Sequence, residues 1–144
     1  MRITEIQLQC EDIMWFGVDS NGYIFECTSA GCGNVPEYVC KSLEETNTLL
    51  QYFTEKAKIV TNPILLISKK DNQLTEDAID LSSKGIFCFD ITDYDNSTVY
   101  HPISKPETPI SVKDLPEDIQ KLLSDHTFNG DVSNIESLVI EHAY

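Results

Sequence analysis

Apolar and polar residues first fall into a regular order between Ile13 and Pro36. Two short apolar runs, Ile13 to Val18 and Tyr23 to Cys27, flank Asp19-Ser20-Asn21-Gly22. Asn-Gly between apolar runs predicts a hairpin, because both residues accept the positive φ of a tight turn. The second run opens into Ala30-Gly31-Cys32-Gly33-Asn34, a glycine loop closed by Val35-Pro36. Upstream, residues 3 to 10 alternate weakly at Ile6, Leu8 and Cys10, the pattern of a short strand.

Past the glycine loop, Pro36 to Cys40 predicts a helical turn. Ser42 stands three residues before Glu45, the spacing at which each side chain caps the other's backbone N–H. Behind it Leu43, Leu50, Phe53 and Ala57, with Leu49 beside them, recur near the helical period and predict an amphipathic helix over 43–57. Asn62-Pro63 breaks that pattern, and the wholly apolar run Ile64 to Ile67 has the length of a buried strand. Leu74 to Ser83 reads as a second helix, capped by Thr75 and stopped by Gly85.

Gly85 to Thr92 is a strand, Asp93 to Ser97 a turn, and Thr98 to Ser104 the returning partner of a second hairpin. Pro102, Pro106 and Pro109 lack backbone donors, which predicts an edge position for that partner and extended chain after it. Pro116 suits the first turn of a third helix with Ile119, Leu122 and Leu123 inside. Asn129-Gly130 ends that region, and Leu138 to Tyr144 completes the sheet as a last strand. The elements add up to a single α+β domain over 1–144: a mainly antiparallel sheet built from hairpins, with about three helices on one face.

Charge narrows the partners. Ten basic against 24 acidic side chains give a net charge of −14. The acids are spread evenly along the chain, so the folded surface as a whole is negative. Nucleic-acid binding through phosphates needs clustered Lys and Arg, and anionic membranes repel such a surface. Neither is expected as a partner. The complement of this field is a basic protein; the plain alternative is that the acidity serves solubility. The first residues lack the apolar core of an export signal, and no apolar run approaches a membrane span. Five cysteines, an odd number, then read as reduced thiols in a cytoplasm, where the sequon Asn96-Ser97-Thr98 has no consequence.

Candidate chemistry is sparse. Cys32 lies between two glycines, the most accessible setting of the five thiols. A nucleophilic thiol needs a base, and His101, His126 and His142 are the candidates, none at motif spacing. Cys27, Cys32 and Cys40 do not follow zinc-ligand spacing, and Cys27 and Cys88 sit in apolar runs as small hydrophobes. Asp90, Asp93, Asp95 and Asn96 cluster around a turn. Counted from Asp93, the sixth and twelfth positions hold Thr98 and Ser104, so the calcium-hand pattern fails. These residues read as turn formers, or as a carboxylate rim for a basic partner. Gly31-x-Gly33 is too short for a dinucleotide fingerprint. Trp15 reads as core, or as an interface anchor if its face points outward. No cofactor or metal is expected.

Two segments carry a likeness. One is Trp15-Phe16-Gly17-Val18-Asp19, Gly22, Ser29 and Gly31-Cys32-Gly33-Asn34-Val35-Pro36. The other is Lys84-Gly85-Ile86-Phe87, Asp90, Tyr100, Lys105-Pro106, Pro109 and Asp114-Leu115-Pro116. Together they span roughly half the chain, and the pattern resembles small bacterial proteins encoded beside polymorphic or contact-dependent toxins and regarded as their immunity proteins. The resemblance implies a cytoplasmic, non-enzymatic α+β protein that binds and blocks a toxin domain. Loops on a rigid scaffold usually carry function, which points to Asp93, Tyr94 and Asp95 together with Cys32 and Asn34 as contact residues. Two alternatives stand beside it: a hydrolase or transferase using Cys32, and a self-associating structural domain. An exposed edge strand with large apolar residues would favour the last.

Overall fold

The computed structural model describes residues 1–68, 73–91 and 98–141. In chain order the elements are α1 (Glu5–Cys10), β1 (Met14–Val18), β2 (Ile24–Thr28), α2 (Glu37–Cys40) and α3 (Leu43–Gln51). A π turn over Tyr52–Lys56 extends α3. Then follow β3 (Pro63–Leu65), α4 (Gln73–Ser83), β4 (Phe87–Asp90), β5 (Val99–Pro106), α5 (Glu117–Leu123) and β6 (Leu138–Val139). The strands lie in the order β1-β2-β4-β5-β3, with β6 pairing β5 off that path. All pairs are antiparallel except β2 with β4. The domain is α+β, as the hydrophobic pattern predicts.

Strand alternation divides the core in two. Trp15, Phe25, Cys27, Phe87, Phe89 and Tyr100 point to one face, where they meet Leu8 of α1, Val39 and Cys40 of α2, and Val132, Leu138 and Ile140. Phe16, Val18, Ile24, Cys88 and Ile103 point to the other, against Leu49, Phe53, Ala78, Leu81, Ile119 and Leu123 from α3, its π turn, α4 and α5. The expectation of helices on one face alone is therefore corrected: the small N-terminal helices and the C-terminal segment cover the second face. Among the described residues no helix is long and apolar enough to cross a membrane.

Other local readings change for identifiable reasons. Residues 3 to 10 hold a helix, not a strand, because Thr4 and Gln7 form a reciprocal capping box, Gln7 N–H to Thr4 Oγ1 at 3.1 Å and Thr4 N–H to Gln7 Oε1 at 2.8 Å. At Ser42 only half of the expected box forms: the hydroxyl accepts from Glu45 N–H at 3.1 Å. Thr75 lies inside α4, not at its cap, and Gly85 ends the helical region at φ 92°. The run from Ile64 is not buried; β3 is an edge strand with Ile64 39% exposed, and Leu66 just past it is 44% exposed. Conversely β5, expected at an edge, is interior. Pro102 pairs Phe89 where the β4–β5 register slips, and such an irregularity accommodates a residue with no N–H. The last strand is confined to two residues, paired with Val99 and Tyr100. Residues 142–144, and with them His142, lie outside the described residues.

The first hairpin forms, but by another turn. Gly22 takes φ 84° while Asn21 stays in the negative range, and Gly22 N–H donates to Asp19 O at 3.1 Å. The buried Asp19 carboxylate organises it, accepting from Asn21 N–H and Tyr23 N–H at 2.9 Å each through Oδ1. Its Oδ2 accepts from Val132 N–H at 2.9 Å, tying the turn to the far end of the chain. The outer edge of β1 is capped at its end: Val18 N–H donates to His126 O and Phe128 N–H to Val18 O, both at 2.8 Å.

Candidate functional site

The glycine loop leaves β2 at the end of the sheet where β4 also finishes. Ser29 holds its start, with Ile13 N–H on its Oγ at 2.8 Å and its own N–H on Ile13 O at 2.9 Å. Ala30 and Gly31 turn through φ 53° and 74°, and Asp12 Oδ1 accepts Ala30 N–H at 2.8 Å. At Gly33 the loop presses on the sheet so closely that a Cβ would lie 2.5 Å from Tyr100 Oη and 2.6 Å from Ile91 Cγ1. That close approach is what the absence of a side chain permits.

Tyr100 Oη donates to Asn34 O at 2.8 Å and accepts from Trp15 Nε1 at 3.4 Å. Asn34 Nδ2 donates to Ile140 O at 3.1 Å. Asn34 is thus a clasp between loop, sheet and C-terminal segment. Trp15, 1% exposed and packed edge-on to Phe25, Tyr38 and Tyr100, belongs to the core and anchors no interface. Replacing Tyr100 by Phe leaves the Asn34 carbonyl without this donor. The expected loss is about 1–3 kcal/mol in urea unfolding, with a change in Trp15 fluorescence. An unchanged midpoint would show that the clasp is not under load.

The thiol of Cys32 is half-buried and donates to Ser29 O at 3.7 Å. Burial, with Asp90 and Asp12 nearby, pushes it above the ordinary thiol range. Cys27 and Cys88 are buried and pushed well up by burial, and burial pushes Cys40 up to about 11. His126 is buried between β1 and α2, its Nδ1 3.0 Å from Phe16 O and its ring 4.8 Å from that of Tyr38. Burial lowers its pKa. His101 faces Asp90 across the β4–β5 ladder.

Asp93, Tyr94 and Asp95 lie outside the described residues. Their connection joins Ile91 to Thr98, and Ile91 and Tyr100 are the groups against which Gly33 packs. The structure therefore brings Ile91 and Tyr100 to the glycine loop that carries Cys32 and Asn34.

The pattern does not single out Glu26, and it reads Asp90 as a turn former or rim carboxylate; the structure buries both carboxyl groups on neighbouring strands. Glu26 on β2 is 2% exposed and Asp90 on β4 is 8% exposed. Glu26 pairs with Cys88, and Thr28 with Asp90, on neighbouring parallel strands. Thr28 Oγ1 donates to Glu26 Oε1 at 2.5 Å. Burial pushes Glu26 up to about 8, helped by Asp90 and Asp12 and opposed by the Thr28 bond. Burial pushes Asp90 up to about 6, helped by Asp12 and opposed by the Ile91 backbone N–H. Asp90 Oδ1 is buried with no hydrogen-bond partner among the described residues. Near neutrality Glu26 keeps its proton while Asp90 has lost most of its own. The sequence signal is a lone Glu inside the otherwise apolar run Tyr23 to Cys27.

No protein-family model, curated protein or solved structure matches the chain. The residues themselves carry the functional reading.

Proposed function

We propose that this chain is an immunity-type binding protein whose acidic surface covers the cationic site of a basic toxin domain, such as a nuclease. The observation that carries the reading is the excess of acid: −14 on 144 residues, far more carboxylates than the ten Lys and Arg can pair. Described pairs such as Arg2 with Glu37 and Lys41 with Asp125 engage only a few. Exposed carboxylates can occupy positions that phosphates would take on a cationic partner, and they accelerate its encounter. The proposed contact is the glycine loop with Cys32 and Asn34, together with Asp93, Tyr94 and Asp95 of the sequence between Ile91 and Thr98. The reading based on a Cys32 nucleophile requires a lowered thiol pKa, and burial with Asp90 and Asp12 acts in the opposite direction.

The test uses the purified protein as bait for the products of neighbouring genes at low and moderate salt. Capture of a basic domain, weakening as salt rises, is the expected result. The double variant Asp93→Lys/Asp95→Lys is expected to slow association about tenfold and to flatten its salt dependence. Unchanged association would remove these residues from the interface. Failure to capture any basic domain, with folded bait and soluble prey, would overturn the proposal.

A further inference from the structure

Among the described residues β3 ends the sheet and pairs only with β5. Leu66 N–H donates to Ile103 O and Glu107 N–H to Asn62 O, both at 2.9 Å. Backbone direction alternates along a strand, so positions 62, 64 and 66 face β5 while Leu65 turns its N–H and C=O outward, and Ile67 follows at a bend just past the strand. Pro63, whose missing donor would weaken an interior strand, also falls on the outward side and still offers its carbonyl. At the other end of the sheet, β1 is capped at Val18 by His126 and Phe128.

The side chains of β3 add to this. Ile64 and Leu66 are exposed on the face that Phe87 and Phe89 share, each beside a cavity. One, of about 210 Å³, is lined by Leu66, Phe87, Phe89, Pro102 and Ile135 among others. The other, of about 270 Å³, is lined by Ile64, Tyr23, Phe87, Pro106 and Pro109 among others. Phe87, Lys105 and Ser133 border both, so the two form one groove. Glu136 stands at the first and Glu107 at the second, giving the apolar floor a rim of both signs in a protein that is otherwise strongly negative.

We infer that this edge pairs with β3 of a second copy of the chain, antiparallel about a two-fold axis through Leu65. The register is dictated by the outward groups. Leu65 exchanges N–H and C=O with the partner's Leu65, and the Pro63 carbonyl accepts from the partner's Ile67. That register sets Ile64 directly opposite the partner's Leu66, and Leu66 opposite the partner's Ile64, on the groove face. The two exposed apolar residues of the strand thus cover one another, which a strand of arbitrary sequence would not provide. The mixed rim suits a dyad too: Lys105 of each copy can meet carboxylates of the other, whereas a uniformly acidic rim would repel itself. The sheet then runs on through both copies, and the edge is no longer free to template other chains.

Sedimentation equilibrium over a concentration and salt series tests this. A dimer is expected that tightens as salt rises to about 0.5 M, because screening removes the repulsion between two acidic bodies. This dependence is opposite to that of a toxin complex. Leu66→Lys places two cations opposite apolar residues, and Leu65→Pro deletes the central outward N–H without touching β5. Each is expected to raise the dissociation constant at least about tenfold, with Val139→Lys on β6 as an unaffected control. Circular dichroism melts of the variants confirm their folding. A dimer that survives both changes, or that Val139→Lys breaks, overturns the proposal. A chain that stays monomeric to about 1 mM at high salt also overturns it, and returns the edge to a strand of another protein.

Discussion

Glu26→Gln is expected to make the protein more stable at and above neutral pH, and to leave it nearly unchanged at pH 4. The wild-type residue must keep a proton to remain buried. Its folded pKa of about 8 stands above the ordinary 4.5, so the unfolded chain releases the proton first as pH rises. Stability that is fully present below pH 4.5 is lost steadily until pH 8 and then stays low. That loss amounts to about 3 kcal/mol at pH 7 and about 5 kcal/mol above pH 8. Glutamine keeps the oxygen that accepts from Thr28 Oγ1 and has no charge to bury. The thermal midpoint at pH 8 should therefore rise by roughly 10 °C.

Two other groups shape the profile, and their signs separate them from Glu26. Asp90, raised from 3.8 to about 6, erodes stability in the same direction but only over that lower range. His126 acts oppositely: burial lowers its pKa, so the unfolded state takes up the proton and stability falls as pH drops below 6.5. Between pH 7 and 8 the wild-type slope is then set chiefly by Glu26, at most about 1.4 kcal/mol per pH unit. Urea unfolding at several pH values under reducing conditions reads it directly. A Glu26→Gln slope equal to the wild-type slope in that window would refute the assignment.

That Glu26 escaped the sequence reading has a physical cause. Polar residues within a strand usually mark the wet face, but here both faces are covered, so alternation stops reporting solvent. The same double cover explains why helices were expected on one side only: α1 and α2 are too short to leave a periodic signature. Thr4-x-x-Gln7 carries the information that residues 5 to 10 are helical, while the weak alternation of Ile6, Leu8 and Cys10 points to a strand. For β3 the length of the apolar run distinguished strand from helix but carried nothing about burial, which depends on sheet order. Sheet order is set by long-range pairing. What period and punctuation govern locally is legible: two strands about Asp19–Gly22, though not their turn type, α3 behind Ser42, the β4 strand and the Pro116 helix start. Of the expected contact residues, Cys32 and Asn34 are indeed on a loop, but Asn34 is spent on Ile140 and Tyr100. Only the tertiary partners of that loop reveal the clasp.

Asp19 is where local and long-range order meet, and Asp19→Ala is expected to destabilise the protein by about 3–5 kcal/mol. The carboxylate is 6% exposed and accepts three backbone N–H groups. Two of them close the turn between β1 and β2; the third, from Val132, fixes the segment that covers Phe87 and Phe89 from outside. Alanine orphans all three donors, and bonds to a charged acceptor are worth more than neutral ones. Asp19→Asn separates the two roles. Its oxygen can still serve Asn21 and Tyr23, but its amide nitrogen then faces the Val132 N–H, donor against donor. The Asn variant should keep the hairpin and lose about half of the total effect. Amide hydrogen exchange distinguishes these outcomes by place: in Asp19→Asn, protection should fall around Val132 and stay high in the β4–β5 ladder. Equal loss of protection everywhere would mean that Asp19 supports the whole fold without distinction. A cost below about 1 kcal/mol for the Ala variant would mean that water replaces the carboxylate at little expense, and that the hairpin and the C-terminal segment are held together by packing alone.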